Sequence, residues 1–439
     1  MRYSWSNTLS YILITAGATI GFGATWRFPY LVGENGGGAY VLTFVVAMII
    51  IGIPMILVEN IIGRRAHKNA LDAFDPKYQG KTFSKAWKIV GFMGLIGCFG
   101  IIAYYMVLGG WVLTYISNIL SGNLNLSGNV TKEITQQFYN INIEHNPLMI
   151  TFYTLIFILL NYVVLIRGIS DGIEKAMKFL MPLLFLCLIV VVIRNLTLEG
   201  ASVGINFYLK PDFSKITPTL FIAVLGQVFF ALSLGFAVMI TLSSFLNKNE
   251  NMVKTAIATS VINTLIALLA GFMIFPSLFA FGLEPNSGPK LVFEVLPIVF
   301  SKMHFGSFFA VSFFTLLLIA AFTTLQEKLN MSRKKAVFWI LFLSFILGNL
   351  PSIMAYGPLS EVSILGKNIF DAFDFISGNV FFVLTALGAS IFVAWVLKED
   401  AKEELARGFN NKMVINLWFY YVKFIIPIII VLIFISRIF

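Results

Sequence analysis

Two apolar stretches of the chain carry residues that an uninterrupted membrane helix would not choose. The first holds Gly17, Gly21 and Gly23 ahead of Arg27 and Pro29, and the second holds Gln227 followed by Ser233-Leu234-Gly235. Gly and Pro interrupt helical backbone. At membrane depth, an interrupted helix offers N–H and C=O groups that can hold an ion or a polar solute. That is binding chemistry. The sequence shows no nucleophile–base pair, phosphate loop or metal-ligand spacing, so an enzyme is not expected. Cys98 and Cys187 sit inside apolar runs, which argues against a disulfide framework. His67, His145 and His304 are far apart and read as loop residues. The first apolar run contains Trp26-Arg27-Phe28-Pro29 and is too long for a signal-peptide core, so no cleavable signal is expected.

The elements that position these residues follow from composition. Of 439 residues, 58% are hydrophobic and 12% charged, where a soluble domain carries about 25% charge. Mean hydropathy is +0.88. So little charge could not cover so much apolar side chain in water, and the chain reads as an all-α, multi-pass membrane protein. The net charge of +10 is read as cytoplasmic loop charge, and no nucleic-acid partner is expected. Eleven segments are apolar and long enough to cross: 8–33, 39–63, 87–119, 147–166, 173–193, 218–243, 253–281, 306–326, 336–355, 376–397 and 415–436. With the N-terminus inside, the inner segments hold 21 Lys and Arg and the outer ones 8, which favours that orientation. The two interrupted spans are the first and sixth, five apart. Matched interruptions of this kind point to an inverted-repeat transporter with a midplane site.

Four runs in order then become diagnostic. Gly21-Phe22-Gly23-Ala24-Thr25-Trp26-Arg27-Phe28-Pro29-Tyr30, continued by Glu34-Asn35-Gly36-Gly37-Gly38-Ala39, resembles the first-helix signature of the neurotransmitter:sodium symporters. Gly52-Ile53-Pro54 with Glu59 and Gly63-Arg64 is similar to the end of their second helix. Gln227 to Gly235 is similar to their sixth, and Ser332-Arg333-Lys334-Lys335-Ala336 to the loop before their ninth. The resemblance covers nearly the whole chain. It implies a LeuT-type fold of 5+5 inverted repeats with broken helices 1 and 6, in a single domain spanning 1–439. The first repeat would cover about 8–193, the second about 218–397, and an extra helix 415–436.

The resemblance also implies site residues. Ala18, Thr19, Phe22, Gly23, Ile101, Tyr105, Phe230, Ala231, Ser233 and Phe236 would line the substrate pocket, with the Tyr105 hydroxyl on a substrate carboxylate. Gly21 stands where amine transporters of the family carry Asp, which favours a substrate bringing its own carboxylate. Sodium would be held by carbonyls of Gly17, Ile20 and Ala320 and hydroxyls of Thr323 and Thr324; paired Thr could instead bond back to carbonyls a turn earlier. Arg27 and Asp374 would form the outer gate, and Arg2, Trp5 and Glu327 the inner one. Glu59 would accept hydrogen bonds from backbone freed in the sixth span.

Departures from the family pattern matter as much. The first sodium site loses its Asn to Ala24 and its Thr to Ala231, keeping Asn263 and the Thr19 carbonyl. The chloride position has Phe44 and Ala267, with Gln227 left alone. About eleven residues, close to three helical turns, are missing after Thr324, which shortens the eighth span. The expectation is a sodium-coupled symporter of a neutral, hydrophobic amino acid in the bacterial inner membrane, with one sodium site and no chloride. Its partners would be the amino acid and membrane lipid, with a homodimer left open. A sensor-like, transport-poor paralogue and a proton-coupled transporter are the alternatives.

Overall fold

The computed structural model describes residues 11–12, 15, 17, 23–75, 77–78, 81–82, 84–126, 130–167, 172, 175–285, 291–328, 334–356, 361–364 and 366–438. Among them, seven helices are long and apolar enough to cross a membrane. These are α2 (Gly38–Ala66), α3 (Lys85–Leu120), α5 (Pro147–Leu165), α6 (Lys175–Leu196), α10 (Met252–Ala280), α14 (Asp371–Leu397) and α16 (Lys412–Ser436). Three further spans are α8 (Pro218–Ala231) continued by α9 (Val238–Ser243), α12 (Gly306–Lys328) and α13 (Lys334–Tyr356). The outer half of the first span is a π-helical turn, Gly23–Arg27, running into α1 (Phe28–Glu34). Each of the eleven predicted segments therefore has a helix.

Boundaries differ where local chemistry intervenes. The Asn368 side chain accepts from the Asp371 amide at 2.7 Å and so caps a helix that starts at Ile369, ahead of the expected 376. Asp374 therefore lies inside the tenth span's helix. Segments read as loops contain short helices: α4 (Lys132–Tyr139), α7 (Ala201–Leu209), α11 (Leu296–Ser301) and α15 (Glu399–Ala406). Two-stranded antiparallel ribbons pair β1 (Lys77–Tyr78) with β2 (Lys81–Thr82) and β3 (Ser363–Ile364) with β4 (Lys367–Asn368). The shortened eighth span still has 23 residues, about 35 Å of helix at 1.5 Å per residue. That is enough for a hydrocarbon core of about 30 Å.

Helix α3 is the axis of the packing. It touches α5, α12, α13 and α14, and a long run of its residues from Gly97 to Val112 is buried. In lipid, helices associate through close contact of small residues. Gly63 on α2 meets α9 so tightly that a Cβ would lie 2.0 Å from the Ile240 carbonyl oxygen. Around this frame α8 packs against the first half of α2, and α9 against its second half. The two halves of the sixth span are thus both packed on one continuous neighbour.

Candidate functional site

The break in the sixth span can be followed bond by bond. Helix α8 opens on Thr217, whose hydroxyl accepts from the Leu220 amide at 3.1 Å. It closes in a Schellman arrangement: Ser233 N donates to Phe230 O at 3.1 Å and Leu234 N to Phe229 O at 2.9 Å. Ser233 is left-handed with φ 52°, unusual for a residue with a side chain. Two backbone groups of the turn take side-chain partners. The Ala231 carbonyl accepts from Asn263 Nδ2 at 3.0 Å. The Gly235 amide donates to Glu59 Oε1 at 2.6 Å, the role expected for Glu59 at the unwound turn. Gly235 has φ 80°, and a Cβ there would stand 2.1 Å from the Phe382 carbonyl oxygen. Only glycine fits.

The first span reaches the same place through its π-helical turn. Gly23, the first residue of the π-helical turn, has its carbonyl bonded by Gln227 Nε2 at 2.6 Å. A Cβ on Gly23 would lie 2.9 Å from the Phe230 ring, so the head of the π-helical turn touches the end of α8. Thr15 and Thr259 share a 2.9 Å hydroxyl bond, and Tyr11 donates to Asn60 at 3.0 Å. The inner part of the first span is thereby tied to α10 and α2.

Apolar side chains close around the breaks. Phe230 and Phe236 stand edge to face with centroids 6.0 Å apart, and Phe236 stacks on Phe382 of α14. Ile101 and Tyr105 are one turn apart on α3 and both buried. The structure therefore brings Gly23, Phe230, Ala231, Ser233 and Phe236 together, with Ile101 and Tyr105 on the central helix. Gly17 is helical and buried. Ala18, Thr19, Phe22 and Ile20 lie outside the described residues, as do Arg2 and Trp5. Ala320, Thr323 and Thr324 share one face of α12 by their spacing, and α12 packs on the turn at Gly23. Glu327 is on the last turn of that helix.

The outer gate differs in detail from the expected pair. The Arg27 guanidinium lies 4.2 Å from the Phe230 ring centroid, a cation–π contact. Among the described residues Asp374 makes no direct ion pair with it. Asp374 Oδ1 accepts from the Tyr104 hydroxyl at 2.7 Å. Arg27 remains in electrostatic reach of Asp374, Tyr30, Tyr104 and Tyr105. Tyr104 is the residue that sequence reasoning missed. The adjacent tyrosine pair on α3 was its signal, since consecutive helical residues face two different neighbours. A space of about 10 Å³ remains beside Arg27, lined by Phe229, Phe230, Asn379 and Val383. It is about one water in size.

Phe44 and Ala267, expected at the chloride position, are both apolar side chains. Phe44 is fully buried against Phe28 with centroids 4.6 Å apart, and Ala267 is fully buried. Among the described residues no cluster of His, Cys, Asp or Glu could hold a metal ion.

Comparison with known proteins decides the family. The sodium:neurotransmitter symporter family matches residues 2–147 and 134–439. The chain belongs to that family. A sodium-dependent transporter of Haemophilus influenzae Rd is 60% identical over all of this chain and 98% of its own length. A sodium-dependent transporter of Bacillus subtilis is 38% identical over 99% of this chain and 97% of its own. The crystal structure of MhsT in complex with L-phenylalanine superposes with a TM-score of 0.89 at 36% identity, covering all of both chains. The protein is thus a multi-pass sodium-dependent transporter of LeuT-type fold, with helices 1 and 6 broken, and its family and structural neighbours are transporters and not enzymes. The alignment to the Haemophilus transporter runs over 451 positions against 439 residues here, so this chain lacks residues that relative carries.

Proposed function

We propose that the chain is a symporter of a neutral, hydrophobic amino acid, coupled to one sodium per substrate, independent of chloride and resident in a bacterial inner membrane. The observation that carries this is the broken turn at Ala231–Gly235 in contact with the head of the π-helical turn at Gly23, enclosed by Phe230, Phe236 and Phe382. Half-helix ends suit the charged end of an amino acid, and the aromatic wall suits an apolar side chain. Similarity to a phenylalanine-bound structure supports the same class. The chain forms one domain of two repeats, about 8–193 and 218–397, with the helix at 415–436 outside them. Sodium would sit between Gly17, Ile20, Ala320, Thr323 and Thr324, an uncharged oxygen set suited to a monovalent cation. Arg27 with Asp374 would gate the outside, and Arg2 and Trp5 with Glu327 the inside, by alternating access.

Uptake of labelled amino acids into proteoliposomes tests this. An inward sodium gradient should drive accumulation of large apolar amino acids, and replacing sodium by potassium should abolish it. Binding without sodium-driven uptake would instead favour the sensor-like reading. A proton-coupled reading draws on Glu59, which is fully buried and whose Oε2 has no partner among the described residues. Uptake driven by a pH gradient without sodium would establish that alternative.

A further inference from the structure

We propose that Asn263 and Gln227 are positioning residues whose side-chain amides replace a first sodium ion, holding with N–H donors the backbone carbonyls at the two helix breaks. This rests on the single-sodium reading above and gives it a structural cause.

A carbonyl stranded at the end of a half-helix, away from water, must find a donor, a cation or a water. The Schellman closure of α8 uses the carbonyls of Phe229 and Phe230 but leaves that of Ala231. Asn263 Nδ2 takes it at 3.0 Å. The Gly23 carbonyl, at the head of the π-helical turn Gly23–Arg27, also accepts from Gln227 Nε2 at 2.6 Å. Both amides are buried, at 0% and 1% exposure, and both are fixed on helices, α10 and α8. The orientation of each amide is dictated by its partner. Turned the other way, each would aim its own oxygen at a carbonyl oxygen at hydrogen-bond distance, an arrangement that needs a cation to hold it. Beside them Ala24 and Ala231, both 0% exposed, offer methyl groups and no further oxygen. The donor set and the lost oxygens agree: among the described residues, the two carbonyls are met by neutral donors.

The inference predicts that removing the donor and supplying an oxygen brings the cation requirement back. The test is substrate-free. The melting temperature of the purified protein in detergent is measured against sodium, with choline keeping ionic strength constant. A single site gives one slope per decade of sodium above its dissociation constant, and two sites give twice that slope. The unaltered protein should show the single-site slope. Asn263→Asp at pH 8 should show about double, because a carboxylate facing the Ala231 carbonyl needs a bridging cation. At pH 5 the slope should fall back toward single, since a protonated carboxyl can donate as the amide did. Asn263→Leu should melt lower at every sodium concentration with the slope unchanged. If Asn263→Asp does not give monodisperse protein, Gln227→Glu poses the same question at the Gly23 carbonyl. An unchanged slope in the acidic variants, or a two-site slope in the unaltered protein, overturns the proposal. Sodium-independent uptake by the unaltered protein would instead overturn the symport reading, and the two failures are read in separate experiments.

Discussion

A substrate carboxylate bound beside neutral amides, with no second cation touching it, must draw its stabilisation from hydrogen-bond donors. On the proposed reading the Tyr105 hydroxyl is the foremost side-chain donor, joined by the amides around Gly23 and the half-helix dipoles. Tyr105 is buried on α3, its ring 5.2 Å from that of Tyr104. A hydrogen bond to a charged group contributes about 1.5–3 kcal/mol. Tyr105→Phe should therefore weaken amino acid binding by roughly ten- to a hundredfold. The amide analogue of the same amino acid, which carries no carboxylate charge, should lose much less. Isothermal titration with both ligands checks this, and equal losses would place the carboxylate elsewhere. At the neighbouring position the expectation is different in kind. Tyr104 holds Asp374 at 2.7 Å, so Tyr104→Phe should alter outer-gate closure, read as a faster off-rate, with a smaller effect on ligand selectivity.

Between elements, a buried ion pair joins α2 to α15. Arg64 is fully buried. Its Nε donates to Glu404 Oε1 at 2.7 Å and its Nη1 to the Glu250 carbonyl at 2.6 Å, while Nη2 donates to the Glu404 carbonyl. Removing one partner of a buried pair leaves an uncompensated charge and costs about 3–5 kcal/mol. Glu404→Ala should therefore lower the melting temperature markedly. Arg407→Ala should do little, because Arg407 meets Glu404 from a half-exposed position. The double substitution Arg64→Met with Glu404→Leu should recover most of the loss, and additive losses in that cycle would show that the pair is not coupled. None of this tie was legible in the sequence, because its partners lie 340 residues apart. The breaks were legible, because Gly17, Gly23, Pro29 and Gly235 are local signals that an apolar run cannot hide. The Schellman turn on Ser233 was not, since a left-handed serine is dictated by the surrounding bonds and not by its own preference. The start of the tenth span was misplaced for a related reason. Asn368 is an ordinary polar residue until its side chain is seen to cap a helix.

For the molecule as a whole, the proposed ion set fixes what one turn of the transport cycle moves. A zwitterionic amino acid with one sodium and no chloride carries a single positive charge inward. Buried Phe44 and Ala267 provide no donors for an anion, and the Gln227 amide is already committed to the Gly23 carbonyl. Exchanging chloride for gluconate at constant sodium should therefore leave uptake unchanged, while a negative interior should accelerate it. Each 100 mV contributes about 2.3 kcal/mol per charge moved, and each tenfold in a gradient about 1.4 kcal/mol. The stoichiometry then has a thermodynamic readout that does not depend on rates. With the potential clamped at zero, a tenfold inward sodium gradient should balance an outward amino acid gradient of about tenfold if one sodium is coupled, and of about a hundredfold if two are. Preloaded proteoliposomes reveal the balance point as the internal amino acid concentration at which net flux reverses sign. Reversal near tenfold, unmoved by chloride, is the expected result. Reversal near a hundredfold, or a several-fold fall in uptake when chloride is withdrawn, would show that the cavity between the two helix breaks takes a second ion after all.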